Sequence, residues 1–169
     1  MAARTLPFHY ESRAALNAPV ETAFAYLDDF KKLSSHMESS SGMMFGSKME
    51  IETDNAQGRA VGSHVWMRGV VLGMTLALEE VVTERAPPLR KVWETVGARL
   101  VVIGEYRLGF DLERAGAASA VRVFIDYDLP ATQPARLLST LFAKSYARWC
   151  TERMISDAVK YLSRGDRSP

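Results

Sequence analysis

The sequence has little of what disulfide and metal sites require. Of its 169 residues, one is cysteine and three are histidine. Cys150 cannot form a disulfide within the chain, so we expect a reducing compartment and a small, at least half-buried thiol rather than a nucleophile. The histidines His9, His36 and His64 lie far apart, and no Cys-x-x-Cys or His-Glu-x-x-His spacing occurs. The sequence therefore predicts no bound metal.

Motifs for cofactors, membranes and nucleic acids are also missing. No Gly-x-Gly-x-x-Gly, Walker loop or Gly-x-Ser-x-Gly occurs, so we expect no cofactor. No apolar run approaches 18 residues, and the segment from Met1 to His9 does not resemble a signal peptide. The formal net charge is +1 and the sequence pI is near 7.9, which argues against nucleic acid as a partner. A cytoplasmic location is the expectation.

The last part of the chain lacks the residues that break helices. From Thr132 to Leu162 the only proline is Pro134, which a first helical turn tolerates, and Gly165 is the first glycine. A helix of about 28 residues would be about 42 Å long. The middle of the expected inner stripe is polar, whereas both of its ends carry large apolar residues: Leu138, Leu141 and Phe142 at the first end, and Ile155, Val159 and Leu162 at the last. We predict that both ends pack on a sheet and that the span around Ser145, Trp149 and Glu152 borders a cavity.

The rest of the chain predicts one strand, two short helices and six further strands, in a single domain spanning residues 1–169. Alternating polarity and turn residues place the strands at Phe8–Leu16, Phe45–Thr53, Gly62–Leu72, Met74–Arg85, Lys91–Val96, Val101–Glu113 and Ser119–Leu129. The helices are expected at Val20–Asp29 and about Phe30–His36. Short connections favour antiparallel pairing, so the fold class is α+β, with a curved seven-stranded antiparallel sheet around the long C-terminal helix.

Two stretches carry a resemblance to a known family. Residues Ala15–Leu27 read Ala-Leu-Asn-Ala-Pro-Val-Glu-Thr-Ala-Phe-Ala-Tyr-Leu, and Leu78–Trp93 contain Glu-Arg-Ala-Pro-Pro-Leu-Arg-Lys-Val-Trp. With the long terminal helix, they resemble the SRPBCC (START-like, Bet v 1-like) superfamily, in particular its polyketide cyclase/dehydrase and lipid-transport branch. The resemblance covers about Phe8 to Leu162. It implies a helix-grip fold with a hydrophobic cavity between sheet and helix, and it transfers no catalytic residue.

Candidate ligand-binding residues are aromatic, methionine and helix residues that the implied cavity could expose. Core packing explains each aromatic residue about equally well, and methionine suits both a pocket and gap filling. Tyr106 and Tyr127 are the sharper candidates, because a buried phenol needs a hydrogen-bond partner. The predicted set is Met37, Met44, Trp66, Met74, Trp93, Tyr106, Phe110, Tyr127, Ser145 and Trp149.

Two orientations stay open. His64, Trp66 and Arg68 share one face of a strand, and an outward direction is slightly favoured because an unpaired buried arginine is costly. Glu79 and Glu80 are consecutive strand residues, so one of them must point inward.

Three functions compete. The leading hypothesis is a module that binds a small hydrophobic molecule, such as a lipid, a polyketide or an aromatic compound. An acid–base enzyme of the cyclase/aromatase or dehydrase type is the first alternative, with His36, His64, Glu80 and Tyr106 as candidate groups. A coenzyme Q chaperone or ribosome-associated partner-binding protein is the second, and it would use an apolar patch around Met43-Met44-Phe45. Catalysis and homodimer formation both stay open.

Overall fold

A computed structural model describes residues 6–33, 49–71, 74–98, 103–130 and 133–165. These residues form seven strands and three helices. The chain order is β1 (Phe8–Leu16), α1 (Val20–Leu27), α2 (Phe30–Leu33), β2 (Met49–Thr53), β3 (His64–Val71), β4 (Met74–Ala86), β5 (Arg90–Ala98), β6 (Tyr106–Ala115), β7 (Ala118–Tyr127) and α3 (Gln133–Gly165).

The seven strands form one antiparallel sheet in the order β1-β7-β6-β5-β4-β3-β2. The predicted α+β class, the strand number and the position of the helices are confirmed. The first strand, β1, and the last helix, α3, meet at one edge of the sheet, because β1 pairs with β7 and α3 packs against these two strands. The predicted start of β6 at Val101 was wrong: Gly104 and Glu105 instead hydrogen-bond Asp128 in a bend that precedes the strand.

One face of the sheet, here called the inner face, packs against the helices. Alternation along the strands selects its residues: Tyr106, Phe110 and Leu112 of β6 are buried and Leu108 is partly buried, and in β7 Val121, Val123, Ile125 and Tyr127 are buried. The outer face carries charged side chains. There Asp111 binds Arg90 and Arg122, and the two guanidinium groups flank the ring of Phe124.

The short helices cover the inner face. Pro19 precedes α1 with a φ of −64°, and Val20, Ala23, Phe24 and Leu27 point inward on one stripe. Phe24 reaches Phe110 of β6, at 5.7 Å between ring centroids. The α1–α2 corner is therefore fixed to the middle of the sheet.

The predicted inner stripe of α3 was wrong at Phe142 and in its middle. Phe142 is 54% exposed, and Ser145 and Glu152 are exposed as well, on the side of the helix turned away from the sheet. The residues of α3 that are buried instead are Ala143, Ala147, Thr151, Met154, Ile155, Ala158 and Leu162. Small side chains allow close approach to the sheet, where Thr151 Oγ1 lies 2.9 Å from Ser12 Oγ of β1. The burial of Ile155 and Leu162 was predicted correctly.

Candidate functional site

A buried carboxyl group lies at the centre of the inner face. Glu80 of β4 is 1% exposed, whereas the preceding residue, Glu79, points outward and bonds His64. One of the two glutamates was expected to point inward, and the structure identifies Glu80. A β-bulge sets this position, because Glu79 pairs with Gly97 and Glu80 with Thr95, which leaves Val96 as the extra residue of β5.

Glu80 is bonded on one side only. The Tyr106 hydroxyl donates a short hydrogen bond to Glu80 Oε1. Among the residues that the structure describes, none makes a hydrogen bond of acceptable geometry to the buried Oε2. The Trp93 indole N–H lies close enough to favour the ionised carboxylate, but it makes no hydrogen bond of acceptable geometry to Oε2. The inner face therefore holds a carboxylate oxygen that a further donor could satisfy.

Tyr106 is held from both ends. Its hydroxyl binds Glu80, and its backbone N–H donates to Thr95 Oγ1 at 3.1 Å. The paired register of β5 and β6 ends at Glu94 and Arg107, so the Thr95 side chain replaces the next ladder bond. This second attachment fixes the strand from which the phenol projects.

The helix α3 adds two groups from the opposite side. Tyr146 and Cys150 are one helical turn apart and hydrogen-bond each other. Both interact electrostatically with Glu80, and both raise the pKa of Tyr106. Four titratable side chains from three elements thus interact with one another in this part of the interior.

Burial dominates the electrostatics of this cluster. Desolvation raises the pKa of Glu80 from 4.5 to about 7, although the Tyr106 hydrogen bond, the nearby Trp93 indole N–H and the charge of Lys91 oppose the rise. Desolvation and the Glu80 charge raise the pKa of Tyr106 well above 10. Desolvation likewise raises the pKa of the Cys150 thiol to about 12, so the thiol is not an activated nucleophile. Near neutral pH, Glu80 can gain or lose a proton while Tyr106 keeps its own.

A second charged cluster lies beside the first. Lys91 is fully buried, and its Nζ lies 2.9 Å from Asp28 Oδ1 and 2.8 Å from the Asp28 carbonyl oxygen. Arg85 binds the same carboxylate through Nε at 3.1 Å and Nη2 at 2.9 Å. Desolvation opposes ionisation of Asp28, but these two cations outweigh it and lower the pKa of the carboxyl group. The cluster fastens the end of α1 to β4 and β5.

Comparison with known proteins places the chain in a family. The sequence matches the family described as "Polyketide cyclase / dehydrase and lipid transport" over residues 7–162. The chain belongs to this family. It has the helix-grip fold of the SRPBCC superfamily. No curated protein sequence matches the chain.

Solved structures of the same fold are distant in sequence. The Zhui aromatase/cyclase from Streptomyces sp. R1128 is 13% identical with a TM-score of 0.68, and the match covers 95% of this chain and 96% of that one. The protein TTHA0849 from Thermus thermophilus is also 13% identical at 0.68, covering 94% and 99%. Ara h 8.0201 is 12% identical at 0.60, covering 90% and 98%. At these identities the likeness shows the fold alone.

Four of the predicted ligand-binding residues lie on the inner face of this family member. Trp93, Tyr106, Phe110 and Tyr127 are all buried there. Trp93 and Phe110 pack edge-on at 6.5 Å between ring centroids, and Trp93 also contacts Phe30 of α2. They contribute to the core, and their contact with a ligand stays a prediction.

Two other predicted residues lie elsewhere. Trp66 is on the outer face, stacked on His64 and bordering a surface pocket of about 40 Å³ with Glu50, Glu52 and Arg68. The outward orientation slightly favoured for this strand face is therefore correct, and Trp66 does not border the space between sheet and α3. Ser145 is exposed, as described above.

The remaining predicted residues are at or beyond the limits of what is described. Trp149 is half-buried, 6.0 Å from Tyr146 between ring centroids. Met74 begins β4, but its side chain lies outside the described part, as do Met37, Met44 and the whole Met43-Met44-Phe45 patch. His36 lies outside it too.

Sequence reasoning missed the α3 half of the site. Tyr146 was not named, and Cys150 was expected to be a small, at least half-buried thiol rather than part of a site. The available signal was the stripe of small residues through Ala143 and Ala147, which fixes the helix face that meets the sheet and hence the direction of Tyr146. Within the described residues, no three histidine, cysteine, aspartate or glutamate side chains are grouped as metal ligands would be. None of the helices described is long and apolar enough to cross a membrane.

Proposed function

We propose that this protein binds a small hydrophobic molecule between the inner face of the sheet and α3. One observation carries the proposal: Glu80 and Tyr106 from the sheet interact with Tyr146 and Cys150 from α3, beside the buried aromatic side chains of the inner face. Ligand sites are typically apolar spaces with a few convergent polar groups whose pKa values are perturbed. Membership of a family described by lipid transport supports the same interpretation.

The polar groups have a clear use in such a site. The aromatic side chains would bury the apolar part of the ligand, and Tyr106 and Glu80 would fix its orientation. Tyr146, next to the half-buried Trp149, would border the ligand from α3. Of the residues predicted from the sequence, Tyr106 is the one with the strongest support for this role.

Acid–base catalysis is a second candidate, and one specific observation favours it. A general acid or base works best when its pKa is near the working pH, and the pKa of Glu80 is about 7. In an enzyme of the cyclase or dehydrase type, Glu80 would carry the proton. Tyr106 would then orient the carboxyl group through its hydrogen bond.

Native mass spectrometry of the protein purified from cells tests ligand binding directly. We expect a mass excess that disappears when the protein is denatured, and the released compound should be apolar. A protein that carries no compound and also binds no added aromatic hydrocarbon would contradict the proposal.

The same compound then distinguishes binding from catalysis. It is returned to wild-type protein and to the variant Glu80→Gln, and its mass is measured over time. A ligand recovered unchanged from both supports a binding module. Conversion by the wild type but not by the variant supports the enzyme.

A further inference from the structure

The unpaired oxygen of Glu80 gives information about the ligand. A buried polar atom without a hydrogen bond is unfavourable, and more so when the group is charged. Oε1 is occupied by the Tyr106 hydroxyl, whereas Oε2 has no partner of acceptable geometry in the described part of the chain. The site is therefore one donor short.

The groups that face Glu80 cannot supply this donor. From β6, the single hydroxyl proton of Tyr106 is already used on Oε1. From β5, the Trp93 indole N–H lies near Glu80 but makes no hydrogen bond of acceptable geometry to Oε2. Lys91, also of β5, is bound to the carboxylate and the carbonyl oxygen of Asp28. From α3, the Tyr146 hydroxyl is engaged with the Cys150 sulfur, and the thiol itself is only a weak donor. A donor for Oε2 would come from a bound molecule.

The surrounding charges select the kind of donor. A cationic amine is disfavoured, because the buried ammonium of Lys91 is near enough to act on the charge of Glu80. A carboxylate is disfavoured by repulsion, and a ketone or an ester has no proton to give. A neutral donor satisfies all three conditions, and a hydroxyl group is the simplest one that an otherwise apolar molecule carries.

We propose that the ligand is an apolar molecule that carries a hydroxyl group, and that this hydroxyl donates a hydrogen bond to Glu80 Oε2. The inference rests on the proposed function, since it requires a hydrophobic ligand between sheet and α3. It goes further in naming the polar group of that ligand and the atom that it meets.

Two probes of nearly equal shape test the inference. 2-Naphthylmethanol and 2-ethylnaphthalene differ only in a terminal hydroxyl in place of a methyl group. Their dissociation constants are measured by titration of intrinsic tryptophan fluorescence, at about pH 8.5 and about pH 5.5. For each protein variant, the dissociation constant of one probe is divided by that of the other. Comparing this ratio between variants cancels the difference in hydration of the two probes, because that difference is the same for every variant.

The matched variants are Glu80→Gln and Glu80→Met, with Glu79→Gln as the control. Glu79 is the adjacent residue of the same strand but lies on the outer face. At about pH 8.5 we expect the preference for the alcohol to fall about fivefold in Glu80→Gln and tenfold or more in Glu80→Met, because hydrogen bonds to charged groups are the stronger ones. The control should keep the wild-type ratio. In the wild type, the preference should be several-fold smaller at about pH 5.5, where Glu80 is protonated.

Each outcome decides something different. If the wild type binds 2-ethylnaphthalene but the ratio is the same in both Glu80 variants, the inference is overturned and the proposed function stands. If the wild type binds neither probe, the proposed function fails and the inference with it. An equal loss of preference in the Glu79 control overturns the inference. If the Glu80 variants fail to fold, the measurements on the wild type at the two pH values test the inference. A ratio of dissociation constants that is the same at both pH values overturns it.

Discussion

Replacing Glu80 with glutamine should stabilise the protein, and the gain should grow with pH. The folded state raises the pKa of Glu80 from 4.5 to about 7, so it binds the proton more tightly than the unfolded chain does. Stability contributed by the neutral carboxyl group is therefore complete below about pH 4.5 and is lost as the pH rises toward 7. Glutamine never ionises, so it does not suffer this loss.

The size of the effect follows from the two pKa values. A tenfold change in proton affinity corresponds to about 1.4 kcal/mol, so a rise from 4.5 to about 7 amounts to about 3 kcal/mol. This is a large part of the stability of an ordinary domain, about 5–15 kcal/mol. Glutamine keeps a carbonyl oxygen that can accept the Tyr106 hydroxyl, so any other cost of the substitution should be nearly constant with pH.

Urea unfolding at several pH values from about 4.5 to 8 measures this difference. The free energy of unfolding of Glu80→Gln, minus that of the wild type, should increase by about 3 kcal/mol across the range. Glu113→Gln is the control, because Glu113 lies exposed on β6. Glu79 is less suitable here, since it bonds the imidazole ring of His64. A difference that stays flat to within about 1 kcal/mol would refute the argument that burial controls Glu80.

Three further predictions concern other positions. Asp28→Asn should lower the free energy of unfolding by about 3–5 kcal/mol in urea titrations, because it leaves buried Lys91 without its counter-charge; a loss below about 1 kcal/mol would contradict this. Gly109→Ala should cost about 1–3 kcal/mol by the same measurement, since a Cβ there would lie 2.8 Å from both the Lys91 carbonyl oxygen and the Phe124 ring; unchanged stability would show that the neighbours relax freely. The thiol of Cys150 should react with iodoacetamide far more slowly in native protein than in urea at about pH 8, because its pKa is raised to about 12, and equal rates would argue against this rise.

The sheet could be predicted because each strand carries its own signal. In β6, Tyr106, Leu108, Phe110 and Leu112 alternate with polar residues, and a period of two residues directly identifies the buried face. This information is local, so it survives without any knowledge of the partner strands. The start of β6 was predicted wrongly because the bend at Gly104 depends on hydrogen bonds to Asp128, which lies more than twenty residues along the chain.

The helix α3 shows where local signals fail. The prediction gave weight to large apolar residues and so placed Phe142 inward, but this residue is exposed. The face that meets the sheet carries Ala143, Ala147 and Ala158, because close packing of a long helix on strands favours small side chains. Hydrophobicity ranks alanine low, and the true stripe was therefore hidden.

The candidate site was predictable in part for the same reason. Glu80 and Tyr106 were both named as candidate acid–base groups, since a strand pattern with two adjacent glutamates forces one inward. That the hydroxyl of Tyr106 meets Glu80 depends on how β5 lies between β4 and β6, and on the bulge at Val96. The approach of Tyr146 depends on the rotation of α3. Neither can be calculated from spacing along the chain.

The two charged clusters of the inner face differ in a way that separates structure from function. In the cluster of Asp28, Lys91 and Arg85, both carboxylate oxygens are bonded and the buried ammonium has two acceptors. A saturated network of this kind fixes two elements and leaves nothing for a ligand. At Glu80, by contrast, Tyr106 satisfies one oxygen only, and the raised pKa records the incomplete compensation. The fold thus supplies every hydrogen bond to the buried carboxylate of Asp28 but leaves one oxygen of Glu80 without a donor. Such an unfavourable buried group is expected where a bound ligand supplies the missing hydrogen bond.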